Sequence, residues 1–273
     1  MRRAPPIRSS MMRGEGQVPF RAASFSPRHR PWSGAATLAV FLLAWQIGSS
    51  IGAIPDLFLP SPFAVARALW RHALSGDLWT NLLASLLRLA VGWTLGTVIG
   101  ISVGIAVGMF TLLRSPALAL VSALFPIPKI ALVPLFIIWF GIGEGSKYAT
   151  LAIGVFFPTV ISTYSGLDNV QRNLVTMGQS FNLSDWSIVR KIMLPGALPS
   201  VLAGFRITIS VAIILLVAAE MIGADSGIGA FILAAGNLYR TDDLIAGVVI
   251  LSLLGLTLSA LLTRIEQAAF AWR

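Results

Sequence analysis

QRNLVTMGQSFNLSDWSIVRK, residues 171–191, is a polar run set between two long apolar stretches and closed by Leu194-Pro195-Gly196-Ala197-Leu198-Pro199. It holds Arg172, Asp185, Arg190 and Lys191, with Asp168 just before it and Phe181 and Trp186 among Ser and Asn. Unpaired polar groups are too costly in hydrocarbon for such a run to lie in lipid. It predicts a large folded loop on one side of a membrane. Ser184 suits a helix N-cap, Asp185 the positive end of that helix, and Arg190 and Lys191 its negative end, with Pro195 as the stop. A structured loop carrying aromatic rings points to a docking surface. The plainer alternative is that Phe181 and Trp186 pack beneath the loop.

Composition supports the membrane assignment. Of 273 residues, 56% are hydrophobic and only 11% charged, whereas soluble domains carry about a quarter charged residues. Cysteine is absent, which excludes disulfides and thiolate metal sites. His29 and His72 fall in segments assigned to opposite sides of the bilayer, which removes most histidine-based catalytic and metal sites. The net charge of +9 does not indicate nucleic acid, because seven of the 20 Lys and Arg lie in the first 33 residues. That tail is rich in Arg, Ser and Pro, with Glu15 its only acid. Its composition suits a cleaved transit peptide or a disordered cytoplasmic tail over 1–33. The apolar run that follows is too long for a signal core, lacks a convincing cleavage site and favours the tail.

Six spans follow. Gly34 to Ile54 is the first, ended by Pro55-Asp56, about the 20 residues a bilayer requires. Leu59-Pro60-Ser61-Pro62 opens an amphipathic stretch to Leu74, with Arg67 and Arg71 one turn apart, read as an external interfacial helix that completes region 34–77. Leu78 to Phe110 is the second span and long enough to tilt. Its Gly92, Gly96, Gly100, Gly104 and Gly108 share one helical face, a seam at which backbones approach closely. Leu118 to Phe140, the third, is broken by Pro126, Pro128 and Pro134. Irregular backbone at that depth must be shielded by protein or face a water-filled path. Tyr148 to Ser165, Leu198 to Ile222 and Leu244 to Leu262 complete an all-α, polytopic membrane bundle. Thirteen Lys and Arg fall with the termini, Arg114 and the 168–195 loop; four (Arg67, Arg71, Lys147 and Arg240) fall opposite. The positive-inside rule then places both termini, including residues 266–273, and the loop in the cytoplasm.

No energy source or catalytic constellation is visible, so no enzyme, cofactor or metal is expected. Gly143-Glu144-Gly145-Ser146-Lys147 is similar at first sight to a phosphate-binding loop. Its Ser and Lys are reversed, however, and the turn falls on the external side. Intramembrane charges are costly and face a cavity or a partner. Arg88 and Arg206 lie near span ends, where they can snorkel. Lys129, amid the prolines, either lines a translocation path that favours anions or sits in a buried ion pair. Glu220, near the outer end of the fifth span, is a second path candidate.

Over residues 55–265 the chain resembles the permease subunits of binding-protein-dependent ABC importers. The similarity is to the branch for nitrate, taurine, aliphatic sulfonates and thiamine-precursor pyrimidines. It rests on Leu59-Pro60-Ser61-Pro62, on Pro126-Ile127-Pro128-Lys129-Ile130-Ala131-Leu132-Val133-Pro134-Leu135-Phe136, and on Trp139-Phe140-Gly141-Ile142-Gly143. Glu220-Met221-Ile222-Gly223 and Gly227-Ile228-Gly229 complete it. The resemblance implies a type I importer core over 78–265, in the bacterial inner membrane and surrounded by lipid. Its partners would be two cytoplasmic ABC ATPases, a second permease subunit in a homodimer and an external substrate-binding protein. The ATPase-coupling segment would be Val175, Thr176, Met177, Gly178, Gln179, Ser180, Phe181, Asn182, Leu183, Ser184, Asp185 and Trp186. The family's Glu-Ala-Ala and following Gly align here with Thr176-Met177-Gly178 and Asn182, so all four letters differ while the spacing persists. Asn182 is a mild change, because Asn tolerates left-handed backbone; Thr176 removes a carboxylate. The implied cargo is a small anion such as a sulfonate, taurine or nitrate. An ATP-independent carrier or channel is the alternative, although it needs no folded docking loop and no internal repeat is visible. A scaffold without transport is a third.

Overall fold

The computed structural model describes residues 31–53 and 55–269. Most of the expected tail over 1–33, with His29, and the last residues of 266–273 lie outside them. The chain divides after Ala44 into two units. Helix α1 (Pro31–Ser50) is apolar, but its stretch Gly34–Ser50 is shorter than a full span. The expected helix to Ile54 stops early because Gly52 turns left-handed at φ 73 and donates its N–H back to Ser49, a common way to end a helix.

In the second unit, α2 (Pro62–Ser75) begins at Ser61, whose hydroxyl accepts from the Ala64 N–H. It is followed by α3 (Asp77–Met109) and α4 (Thr111–Leu124), then a 3-10 turn (Lys129–Leu132) and α5 (Val133–Phe140). Next come α6 (Glu144–Asp168), α7 (Arg172–Ser180), α8 (Asp185–Ile188), a π turn (Val189–Met193) and α9 (Leu194–Gly223). Helices α10 (Ile228–Asn237) and α11 (Thr241–Ala269) complete it. Among the described residues four helices are long and apolar enough to cross a bilayer: α3, α6, α11 and the continuous 39-residue helix Asp185–Gly223. The α4–α5 pair, bent by 89° at its break, makes a fifth. The short α10 has no counterpart in the sequence expectation.

Pro195 does not stop the loop helix. A proline clashes with the carbonyl four residues back, here that of Lys191, and that residue lies in the wider π turn Val189–Met193. The helix therefore runs on into α9, and Arg190 and Lys191 sit within it rather than at its negative end.

The five glycines of α3 all face α6. A Cβ on Gly92 would stand 2.6 Å from the Leu151 Cβ, one on Gly100 2.7 Å from the Thr159 Cβ, and one on Gly104 2.6 Å from the Thr163 Cβ. Gly96 faces Val155 and Gly108 faces Leu167. The partners on α6 also recur every fourth residue, at a constant offset, so the two helices run parallel. A chain that leaves α3 must cross back before α6 begins, and α4–α5 makes that return despite its bend. Helix α9 runs antiparallel to α6, with Gly154 against Leu215 and Gly166 against Ala197 and Ser200. Leu89, Leu151, Val155, Ala212, Leu216 and Leu254 form a core shared by α3, α6, α9 and α11.

Gly96 is the tightest of these contacts to backbone, since a Cβ there would meet the Ala152 carbonyl oxygen at 2.5 Å. Gly96→Ala is expected to cost about 1–3 kcal/mol of overpacking, read as a lower unfolding midpoint in detergent. Gly255→Ala, whose added methyl meets nothing nearer than 3.7 Å, is expected to leave the midpoint unchanged or slightly raised.

Candidate functional site

The antiparallel packing puts the ends of α3, α6 and α11 and the start of α9 at one end of the second unit, where α7 and α8 also lie. Helix α7 closes at Phe181, and Asn182 takes left-handed backbone at φ 53. Its N–H donates to Gln179 at 2.9 Å, and the Leu183 N–H to Gly178 at 3.1 Å. Asn adopts this conformation at lower cost than other non-glycine residues. Ser184 then caps α8, its hydroxyl accepting from the Ser187 N–H. Gly178 is buried against Ile188 and Ile192, which seats α7 on the helix that follows. Val175 is half-buried, while Thr176, Gln179, Ser180 and Asp185 are exposed.

The outward face of this pair is apolar. Leu174, Met177 and Phe181, spaced as one helical stripe, are 42%, 52% and 74% exposed, and Trp186 is 66% exposed. The alternative in which both rings pack under the loop is therefore not what the fold adopts.

Lys129 sits at the 89° break. Its ammonium donates to the carbonyl of Leu124 at 3.2 Å and to that of Phe125. It also lies 5.3 Å and 5.0 Å from the ring centroids of Phe125 and Phe157. A cation at the frayed end of α4 satisfies carbonyls left without helical partners. No carboxylate pairs with Lys129 among the described residues, so the ion-pair alternative is not the arrangement found.

At the other end of the unit, α3, α6, α9 and α10 meet around Arg88. Arg88 is 5% exposed, so it does not snorkel to an interface. Its Nε and Nη2 hold Glu144 at 2.7 and 2.8 Å, and its Nη1 donates to Glu220 at 2.9 Å and to the Ser226 carbonyl at 2.5 Å. Glu220, 1% exposed, also accepts from the Ser85 hydroxyl at 2.7 Å and from the Gly229 N–H at 2.8 Å. Ser85 in turn accepts from the Ile228 N–H at 2.9 Å. Glu220 and Ser85 thus satisfy the free N–H groups at the start of α10. A Cβ on Gly227 (φ 122) would strike the Glu220 carboxylate at 2.4 Å, so glycine is required there. Glu220 is accordingly part of a buried ion pair and not of an open path surface. Lys147 completes the group, its ammonium 3.0 Å from Glu144. A cavity of about 640 Å³ opens beside Arg88, Glu144, Lys147 and Asp225.

A second cluster pins α2 to α11. Buried Asp243 accepts from Arg71 at 2.6 Å, lies 2.9 Å from His72 Nε2 and pairs with Arg240. Arg206, expected near a span end, instead lies midway along the helix Asp185–Gly223, partly exposed and paired with Glu266 near the end of α11. Sequence reasoning missed Ser85, Glu144 and Asp243 as partners. The available signal was Glu220 followed closely by Gly227-Ile228-Gly229, an acid placed to cap a helix that was not assigned.

The model of the family described as "Binding-protein-dependent transport system inner membrane component" matches residues 96–270. The permease protein SsuC of Escherichia coli (strain K12), named for aliphatic sulfonates transport, is 37% identical over 246 residues, covering 90% of this chain and 92% of that one. The taurine transport system permease protein TauC of the same strain is 34% identical, covering 86% and 88%. A chain of the inward-facing MetNI methionine ABC transporter shares the fold, with a TM-score of 0.60 at 22% identity over 77% of this chain and 98% of that one. The chain belongs to the binding-protein-dependent transport system inner membrane components, as the membrane-spanning permease of an ABC importer whose ATP hydrolysis takes place in a separate subunit.

Proposed function

We propose that this permease imports a small organic sulfonate, of the alkanesulfonate or taurine class, and that α7 and α8 are its contact with the cytoplasmic ATPase. The observation that carries the coupling assignment is the exposed row Leu174, Met177 and Phe181 with Trp186 beside it. An apolar stripe at that spacing fits a groove on a partner, and none of the described residues covers it. The excess of Lys and Arg with the termini and the 168–195 loop supports a cytoplasmic position for all three. The Arg88 end then faces outward, toward a binding protein that delivers cargo. A second copy of the chain would complete the path, with residues 78–265 as the transporting core. Lys129, which pairs with no carboxylate among the described residues, would supply positive potential along that path. The cargo class is supported by the names of the two bacterial relatives, SsuC and TauC.

A strain deleted for this chain is expected to lose growth on alkanesulfonates or taurine as sole sulfur source while growing normally on sulfate. Unchanged growth and unchanged uptake of labelled sulfonates would overturn the cargo assignment. Growth on nitrate as sole nitrogen source separates the remaining small-anion option.

A further inference from the structure

The group around Arg88 divides into a permanent half and an exchangeable half. Glu220, with its carboxylate fully enclosed, holds Nη1 of Arg88 together with Ser85 and the start of α10. Glu144 grips the other edge, yet its side chain is 45% exposed while those of its two cationic partners, Arg88 and Lys147, are each 6% exposed. Two buried cations therefore converge on one carboxylate that stands in the wall of an open cavity of about 640 Å³.

We propose that Arg88 and Lys147 form a binding slot for a monovalent oxyanion, a sulfonate, and that Glu144 occupies this slot as a built-in competitor. The slot has the shape such a group requires. Arg88 presents two parallel N–H donors to two oxygens, at 2.7 and 2.8 Å, and Lys147 meets one of those oxygens from a second direction at 3.0 Å. A guanidinium fork and an ammonium recognise sulfonate oxygens by the same charge-assisted bonds they make to a carboxylate. Charge balance points the same way. With Glu144 in place, Arg88 and Lys147 are neutralised by Glu144 and Glu220. With Glu144 swung into the cavity, the slot carries one net positive charge, which a monoanion restores to neutrality. A dianion would leave an excess negative charge in a largely desolvated site, and Asp225 on the rim of the same cavity adds to that penalty.

The exchange is mechanically available. Glu144 is the first residue of α6, preceded by Gly143 and by Gly141 at φ 78, and followed by Gly145. The group that moves is a carboxylate already half in water, and its departure opens one edge of Arg88 and the Lys147 ammonium to an incoming anion. Arg88 keeps Glu220 and the Ser226 carbonyl, so the permanent half need not reorganise. Lys147 depends on Glu144 alone among the described residues and would pass to the incoming anion. The site is thus a weak, gated station on the face where cargo arrives, not a deep trap.

The inference rests on the sulfonate assignment and on the outward orientation of this end, and the test separates them. The permease would be purified with its ATPase, and binding of ethanesulfonate, taurine, sulfate and acetate measured calorimetrically for wild type, Glu144→Gln and Lys147→Met. Glu144→Gln, which removes the competing charge and keeps the side-chain length, is expected to tighten ethanesulfonate binding about tenfold. Lys147→Met is expected to weaken it by a similar factor, with sulfate bound less well than ethanesulfonate and acetate throughout. If both variants assemble with the ATPase and neither alters sulfonate affinity, the slot is wrong, whatever cargo the cell imports. If Glu144→Gln tightens acetate as much as ethanesulfonate and the deletion strain takes up sulfonates normally, the monoanion slot stands and the cargo assignment fails. Should Glu144→Gln not assemble, Lys147→Met alone decides, since it retains the Arg88–Glu144 pair.

Discussion

Glu220→Ala is expected to lower stability by about 3–5 kcal/mol, the usual effect of removing one partner from a buried ion pair. The loss reaches beyond the pair. Arg88 Nη1 keeps only the Ser226 carbonyl, and the Ser85 hydroxyl and the Gly229 N–H lose an acceptor where water does not reach. Each buried group left without a partner carries its own desolvation cost. The start of α10 would loosen, and with it the junction of α3, α6 and α9. The unfolding midpoint in detergent and the steady-state amount in the membrane are the measurements. Glu144→Ala provides the internal comparison: its carboxylate is half in water and Arg88 keeps Glu220 and the Ser226 carbonyl, so the loss is expected to be smaller and to come chiefly from Lys147 left without its partner. A Glu220→Ala variant no less stable than Glu144→Ala would refute the division into permanent and exchangeable halves.

The second large effect is expected at the opposite end. Phe181→Ala and Trp186→Ala should each weaken association with the ATPase, by about 30-fold if they are interface anchors worth about 2 kcal/mol. Their burial within the chain is low, so neither change should lower the stability of the isolated permease. Transport should fall with assembly, and overexpressing the ATPase should restore part of it by mass action. If co-purification with the ATPase is undiminished in the double variant, the stripe does not couple the two subunits.

Several features were legible without coordinates because they are set by local chemistry. Glycine every fourth residue from Gly92 to Gly108 shares one face of a helix, and Pro126 and Pro128 fall at the break after α4, while Pro134 sits in the first turn of α5, where proline is tolerated. Asn182 stands where the chain takes φ 53, a conformation that its own side chain tolerates. Pro195 misled because the wider π turn at Val189–Met193 makes room for its ring and the helix continues, and a proline need not end a long helix here, since α6 and α9 also run past Pro158 and Pro199. Arg88 misled for a different reason. Its nearness to a span end suggested an interface, while its acceptors are supplied by residues 56 and 132 positions away. Helix α10 was overlooked because its ten residues are too short to announce themselves by apolar periodicity.

What the chain's letters determined was its solvent and its order: which long segments are apolar, where one of them breaks and where a polar helix pair emerges, although six spans were expected and four helices, or five with the bent pair, are long and apolar enough to cross among the described residues. Those properties follow from hydropathy, backbone propensity and charge, which act within a few residues. Only the tertiary structure decided which charges meet. It set Glu220 against Arg88 and Ser85, left Lys129 on carbonyls rather than a carboxylate, and turned Phe181 and Trp186 outward. Such pairings depend on helix register and facing over more than a hundred residues, and no local preference encodes them.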